Sequence, residues 1–397
     1  MIADPLGALV PGWEPPAAER AEGGPLDGLR LVVKDVIDVG GAVTGGGNPD
    51  WAAAHGPASE SAPAVTALTE AGALLAPKGQ CAELAFSLSG DNFHYGMPRN
   101  AAAPDRDPGG STSGPASAVA GGTCELGLGT DTLGSVRVPA SYCGIWGFRP
   151  THGRIPVEGV MPLAQSFDTV GLLADEPERF QRAAEVLLAD PIASISPPSR
   201  LLIAPTLLSA AEPDVAEAAR FAASDLAERL GAEIADTAIL DDAPSPADGM
   251  AAFNVLQGIQ VWRNYGDWVE RASPSLGPDI AARLERASGF GPADVAGAEP
   301  VARKIAAAVS RLSANEALVL PATGTPAPGR EADADERERA RVSAGQLTSL
   351  ATLAGSPAIS MPLLSIGGLP VGLSLVGAPG SDLALLATAS AARAEPS

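Results

Sequence analysis

Apolar and polar positions along this chain follow two alternating patterns. Short runs of β-branched and aliphatic residues have the length and composition of buried strands. These are LRLVVKDVIDV at 29–39, LLAP at 74–77, RLLIAP at 200–205, EALVLPATGTPAP at 316–328, SPAISMP at 356–362 and PVGLSLVG at 370–377. Between them VTALTEAGA at 65–73, ELAFSL at 83–88 and Ala/Glu/Arg-rich stretches near 213–231 and 297–312 have helical spacing. PASAVAGG, just after GGSTSG at 109–114, predicts a helix with Pro115 in its first turn. Residues 89–110 are rich in Asn, Pro, Asp and Gly, which predicts a long ordered loop of the kind that carries function. Strands alternating with helices predict an α/β fold with helices on both sides of a sheet. The Pro/Ser-rich DPIASISPPSR allows a boundary near 190, although strand-like segments on both sides of it fit one sheet and one domain spanning 1–397.

Composition removes several functions. The 397 residues are 46% hydrophobic and carry a net charge of −21 from 47 acidic against 26 basic side chains. With no Lys/Arg-rich stretch, the chain offers nucleic acid or an anionic membrane surface no landing site. No apolar run approaches the roughly 18 residues of a spanning helix. Residues 1–19 contain no Lys or Arg and are broken by prolines, so neither a signal nor a transit peptide is expected, and the expected location is cytoplasmic. Cys81, Cys124 and Cys143 lack metal-ligand spacing and read as buried, reduced residues.

The familiar hydrolase signals are missing. There is no Gly-x-Ser-x-Gly elbow and no His-Glu-x-x-His, and the three histidines, His55, His94 and His152, are not placed as a triad or as metal ligands. Lysine is the unusual residue, because only Lys34, Lys78 and Lys304 occur among the 26 basic side chains. Lys34 falls in an apolar segment, where it is either a snorkelling or ion-paired lysine beside Asp35 or a desolvated, neutral base, a state open to lysine and closed to arginine. The Ser/Gly stretches at 109–114 and 126–139 favour the second reading. Glycines let successive backbone N–H groups converge on one point, as a developing oxyanion requires.

Three segments then carry a resemblance. LVVKDVIDVGG, DPGGSTSGPASAVAGG and LGTDTLGSVRVPASYCGIWGFRPTHG resemble, in order and spacing, the signature segments of the amidase-signature family. The resemblance covers about 27–190 and resumes at 317–390, leaving a divergent, substrate-facing segment at about 190–316. It implies a large mixed sheet covered on both sides by helices. It also implies a Ser-Ser-Lys triad in which Ser135 is the nucleophile, Ser111 the proton relay and Lys34 the base, with an oxyanion hole from the N–H groups of Thr132, Leu133, Gly134 and Ser135. No metal or cofactor is implied. The partner is a small-molecule amide, and a homodimer is compatible with the sequence.

GNPDWAAAH at 47–55 and LAQSFDTVG at 163–171 resemble the indole-3-acetamide hydrolase-like branch, which points to an aryl-acetamide, with esters and carbamates open to the same chemistry. Two other readings belong to the family: a glutaminase subunit of a tRNA-dependent amidotransferase, and a non-enzymatic binding protein. Leu133 and Ser113 occupy positions that are usually Gly, and Thr112 one that is usually Ser, so a leucine forced to positive φ would be strained. Asp131 and Arg137 read as a loop-fixing pair, and Asn92, His94 and Tyr95 either line the pocket or pack the loop.

Overall fold

The computed structural model describes residues 3–16, 23–192 and 195–392. Its strands are β1 (Arg30–Val33), β2 (Leu74–Leu75), β3 (Leu126–Thr130), β4 (Trp146–Arg149), β5 (Val170–Ala174), β6 (Arg200–Ile203), β7 (Glu233–Asp236), β8 (Glu316–Pro321), β9 (Ala358–Ile366) and β10 (Leu369–Gly377). All ten belong to one sheet in the order β2-β1-β3-β5-β4-β9-β10-β8-β6-β7. β1 runs parallel to β2 and β3, and β6 runs parallel to β7 and β8. Every pairing between β3 and β8 across the centre is antiparallel, so the sheet is mixed.

Side chains on a strand alternate between faces, and here the alternation divides the core in two. Leu31, Val33, Leu201, Ile203, Ala317 and Val319 join one apolar cluster, while Val32, Leu202, Leu318 and Leu320 join clusters on the opposite face. The first face is covered by the helices Pro63–Glu70, Pro177–Leu188, Pro213–Leu230 and Asp382–Ala392. The second is covered by Ser113–Ala120, Arg137–Cys143, Pro246–Ala272, Pro292–Val309 and Ala334–Ala354. The expected α/β class, with a mixed sheet between helical layers, is the observed one. Many prolines open helices: Pro63, Pro177, Pro213 and Pro246 lie in first turns, where the missing N–H costs nothing. No described helix is long and apolar enough to cross a membrane.

Two local expectations need correction. LRLVVKDVIDV is a strand only to Val33. The amides of Val36 and Ile37 both bond back to the Lys34 carbonyl at 2.8 and 3.0 Å, turning the chain at once. Val36, Ile37 and Val39 stay buried as loop residues, which is why the apolar pattern outruns the strand. ELAFSL is not a helix beyond the single 3₁₀ turn Glu83–Ala85, because Leu84 and Ala85 have φ of 50° and 56° and cannot propagate a right-handed helix. At the suggested boundary near 190, β6 pairs with β8, so chain on both sides of it builds the same sheet. Ala193 and Ser194 of that stretch lie outside the described residues.

Candidate active site

The parallel pairing of β1 with β3 brings their C-terminal ends side by side, with Lys34 just beyond one and Thr130 closing the other. The Lys34 Nζ donates to Ser111 Oγ and to Thr130 Oγ1, both at 2.7 Å. Lys34 is fully buried and has no carboxylate partner among the described residues. Asp35 pairs instead with Lys78 at 3.3 Å, so the ion-paired reading of Lys34 does not hold. Burial pulls the Lys34 ammonium down to about 8, against the opposing pull of Cys81, Asp131 and Asp168. Cys81 is itself buried and unbridged, its thiol pushed up to about 12 by desolvation; Cys124 and Cys143 are also buried and free.

Ser111 is held by a loop whose shape demands glycine. A Cβ on Gly110 would lie 2.0 Å from the Ser89 carbonyl oxygen, and the Gly110 amide donates to Leu88 O at 2.7 Å. The Gly110–Ser111 peptide bond is cis. Asp107 braces the loop, accepting from the amides of Gly90 and Gly109 at 2.8 and 2.7 Å and from Ser89 Oγ at 2.6 Å. Thr112 then donates its amide to the Ser135 carbonyl at 3.3 Å, joining the two serine-bearing loops. Ser113 opens the helix Ser113–Ala120 and is fully buried there.

The loop from Asp131 to Arg137 is clamped from below. Asp131 receives Arg137 Nη2 at 2.9 Å, Arg149 Nη1 at 3.1 Å and the Val136 and Arg137 amides at 3.2 and 3.3 Å. Burial opposes ionisation of Asp131, yet Arg137 and Arg149 outweigh it and hold the carboxyl well below the usual range. The expected loop-fixing pair is therefore a buried triad of charges. Thr132 Oγ1 donates to Asp168 at 2.7 Å, and Asp168 also accepts from the amides of Leu163 and Ala164 at 2.9 and 3.0 Å. Held this way, the backbone N–H groups of Thr132, Leu133, Gly134 and Ser135 donate to no acceptor among the described residues. Leu133 is not one of the described non-glycine residues with positive φ, so the feared strain does not arise, and its side chain joins the apolar cluster of Leu88, Val138 and Tyr142.

An open cleft of about 710 Å³ lies beside these loops, between residues 87–93, the helix Pro278–Ser288 and the helix Ala334–Ala354. Its walls reach the site through Leu88, which accepts from Gly110, and Val138, whose amide donates to Gly134 O at 2.8 Å. Lys34, Ser111 and Ser135 are not themselves wall residues, so the cleft leads up to the serine loops and does not enclose them. Asn92, His94 and Tyr95 do not line it; Asp91 and Phe93 from the same loop do. Asn92 is a clip, donating to the Gly47 and Cys81 carbonyls at 2.9 and 2.8 Å. His94 Nε2 lies 3.0 Å from the Glu83 carboxylate, which also accepts from Asn48 at 2.6 Å and from the Gly277 amide at 2.9 Å.

Thr130, Asp168 and Glu83 escaped sequence reasoning. Thr130 reaches Lys34 only through the parallel pairing of β1 with β3, which the sequence does not show. Among the described residues no group of three or more His, Cys, Asp and Glu could hold a metal.

A mixed α/β sheet that presents a buried lysine–serine pair beside a glycine turn of free amides defines a hydrolase acting on amides. The family described as Amidase matches residues 14–386, and the chain belongs to that family. It is 37% identical over 397 residues to "Amidase 1" of Oryza sativa subsp. japonica, covering 94% of this chain and 91% of the relative. It is 32% identical to "Translocon at the outer membrane of chloroplasts 64" of Pisum sativum over 95% of this chain and 67% of that protein. A crystal structure of an amidase superposes with a TM-score of 0.78 at 30% identity, over 93% of this chain and 84% of that one.

Proposed function

We propose that the protein hydrolyses a small carboxamide through an acyl-enzyme on Ser135, with Ser111 as proton relay and Lys34 as base. The observation that supports this most is the 2.7 Å hydrogen bond between a desolvated Lys34 and Ser111, on a loop bonded to the Ser135 backbone. Ser135 Oγ attacks the carbonyl carbon while its proton passes to Ser111 and the Ser111 proton passes to neutral Lys34. The N–H groups of Thr132 to Ser135 have no internal acceptor and are free to take up the oxyanion. The proton held on Lys34 returns through Ser111 to the departing ammonia or amine. Water then attacks the acyl-enzyme by the same relay and releases the carboxylate. Thr130 fixes the Lys34 ammonium in register.

The cleft supports an acyl group with an apolar body, because Leu88, Val138, Tyr142 and Phe93 face it, and an aryl-acetamide fits that description. The same relay would cleave esters and carbamates. The pea translocon relative supports a binding role as a second reading. Hydrolysis itself separates the two. The Ser135→Ala protein should lose turnover of every amide and ester in a panel while its far-UV circular dichroism stays that of the parent. Turnover within about tenfold of the parent, on the general scale of an essential nucleophile, would remove Ser135 from the role.

A further inference from the structure

Of the four residues at 132–135, whose amides find no acceptor among the described residues, only Leu133 carries a large apolar side chain. Thr132 turns its hydroxyl to Asp168 at 2.7 Å, and Gly134 lies against Thr348 with no room for a Cβ. Leu133 stands two residues before Ser135, so their Cα atoms lie within about 7.6 Å of each other whatever the shape of the loop. The residue is also held in place. Its carbonyl accepts from Arg137 Nη2 at 3.1 Å, and the same guanidinium donates through Nη1 to Thr348 O at 3.0 Å, which ties the Leu133 backbone to the helix Ala334–Ala354.

The Leu133 side chain is 7% exposed and belongs to the apolar cluster of Leu88, Val138 and Tyr142, all three of them walls of the cleft. Leu88 is bonded to the Ser111 loop through Gly110, and Val138 follows Ser135 by three residues in the helix Arg137–Cys143. Leu133 itself is not a wall residue, and the cleft ends short of both serines. An oxyanion held by this loop sits about 3 Å from its amides. The acyl α-carbon, bonded to the same carbonyl carbon, then comes within van der Waals reach of the Leu133 side chain. A hydrogen on that carbon is small enough to pass; a methyl group has to displace a side chain that is packed and clamped.

We propose that Leu133 is a specificity-determining residue: it closes the inner end of the cleft over Ser135 and restricts the substrate to amides whose acyl α-carbon is an unbranched CH2. The inference rests on the reading of Ser135 as nucleophile, which fixes where the carbonyl carbon lies. An aryl-acetamide meets the requirement, and a 2-arylpropanamide does not.

The test compares the 4-nitroanilides of phenylacetic acid and of 2-phenylpropanoic acid, which differ by one methyl group on the α-carbon, taking the faster-reacting enantiomer of the second. The readout is the ratio of their kcat/KM values within one preparation, divided by the ratio of their alkaline hydrolysis rates, so that neither partial misfolding nor intrinsic reactivity enters. In the parent the corrected ratio should favour the phenylacetyl substrate by at least about tenfold, the scale of one carbon in a shaped apolar pocket. Leu133→Ala should bring it close to one through a gain in kcat/KM on the branched anilide, which damage to the fold cannot produce, and Leu133→Met should keep part of the discrimination. Leu350→Ala removes as much volume from the same cluster, beside the separate cavity walled by Leu207, Leu240 and Ile305, and should leave the ratio at the parent value. With Ser135→Ala inactive, a parent ratio near one, a ratio that Leu133→Ala leaves unchanged, or an equal collapse in Leu350→Ala overturns the role of Leu133 alone. If Ser135→Ala still cleaves both anilides, the nucleophile assignment falls and the inference falls with it.

Discussion

Lys34 shows how one residue's surroundings decide its chemistry. Its neighbour in sequence, Asp35, lies in the turn that follows β1 and pairs with Lys78, leaving Lys34 to two hydroxyls. With its ammonium lowered to about 8, Lys34 is protonated and unable to accept a proton at acid pH. The kcat/KM of an amide should therefore rise with pH through about 8 and level off above it. Lys34→Arg keeps the positive charge and removes the neutral state, so it should cost about a hundredfold or more, the scale of a lost general base. A folded Lys34→Arg enzyme at near-parent rates would mean that the cation only holds Ser111. Lys34 was legible in the sequence because lysine is so rare there; Thr130 was not, because a threonine between Gly129 and Asp131 reads as part of a turn.

At the level of elements, the turn that presents Ser135 depends on a helix more than 200 residues away in the chain. A Cβ on Gly134 would lie 2.9 Å from both Cγ2 and Oγ1 of Thr348, in the helix Ala334–Ala354. Swinging Thr348 aside would break the bond its Oγ1 donates to Ala344 O at 2.7 Å, and its branched Cβ restricts the alternatives. Gly134→Ala should therefore push the turn off the helix and misplace the amides around Ser135. We expect kcat to fall at least about tenfold, as loss of aligned oxyanion donors implies, with little change in thermal midpoint. Adding Thr348→Ala should restore part of the rate; no recovery would show that the loop tolerates the shift and that close packing is not what fixes it.

The sequence reading of the elements succeeded where spacing is local, as for β6, β8, β10 and the helix Ser113–Ala120. It failed at LRLVVKDVIDV and ELAFSL, where burial of loop residues imitates strand and helix patterns.

Over the whole molecule the legible part was the signature core, and the obscure part was its assembly with residues 190–316. Nothing in RLLIAP announces that β6 pairs with β8 across more than 100 residues. Glu83 similarly ties Asn48 and His94 to Gly277, and Asn48 reaches the Ser275 carbonyl at 2.9 Å, anchoring the linker that leads into the helix Pro278–Ser288. Each of these groups is unremarkable alone, and only the three-dimensional encounter gives it a role. On the proposed mechanism the sheet, the clamped Asp131 loop and the cleft all serve one hydroxyl, that of Ser135. Rapid-quench mass spectrometry with a slowly deacylating activated ester tests that convergence most directly. The account predicts one acyl group per chain, located on the peptide containing Ser135 and absent from Ser135→Ala; an adduct on Ser111 or Ser113, or turnover with no adduct at all, would contradict it.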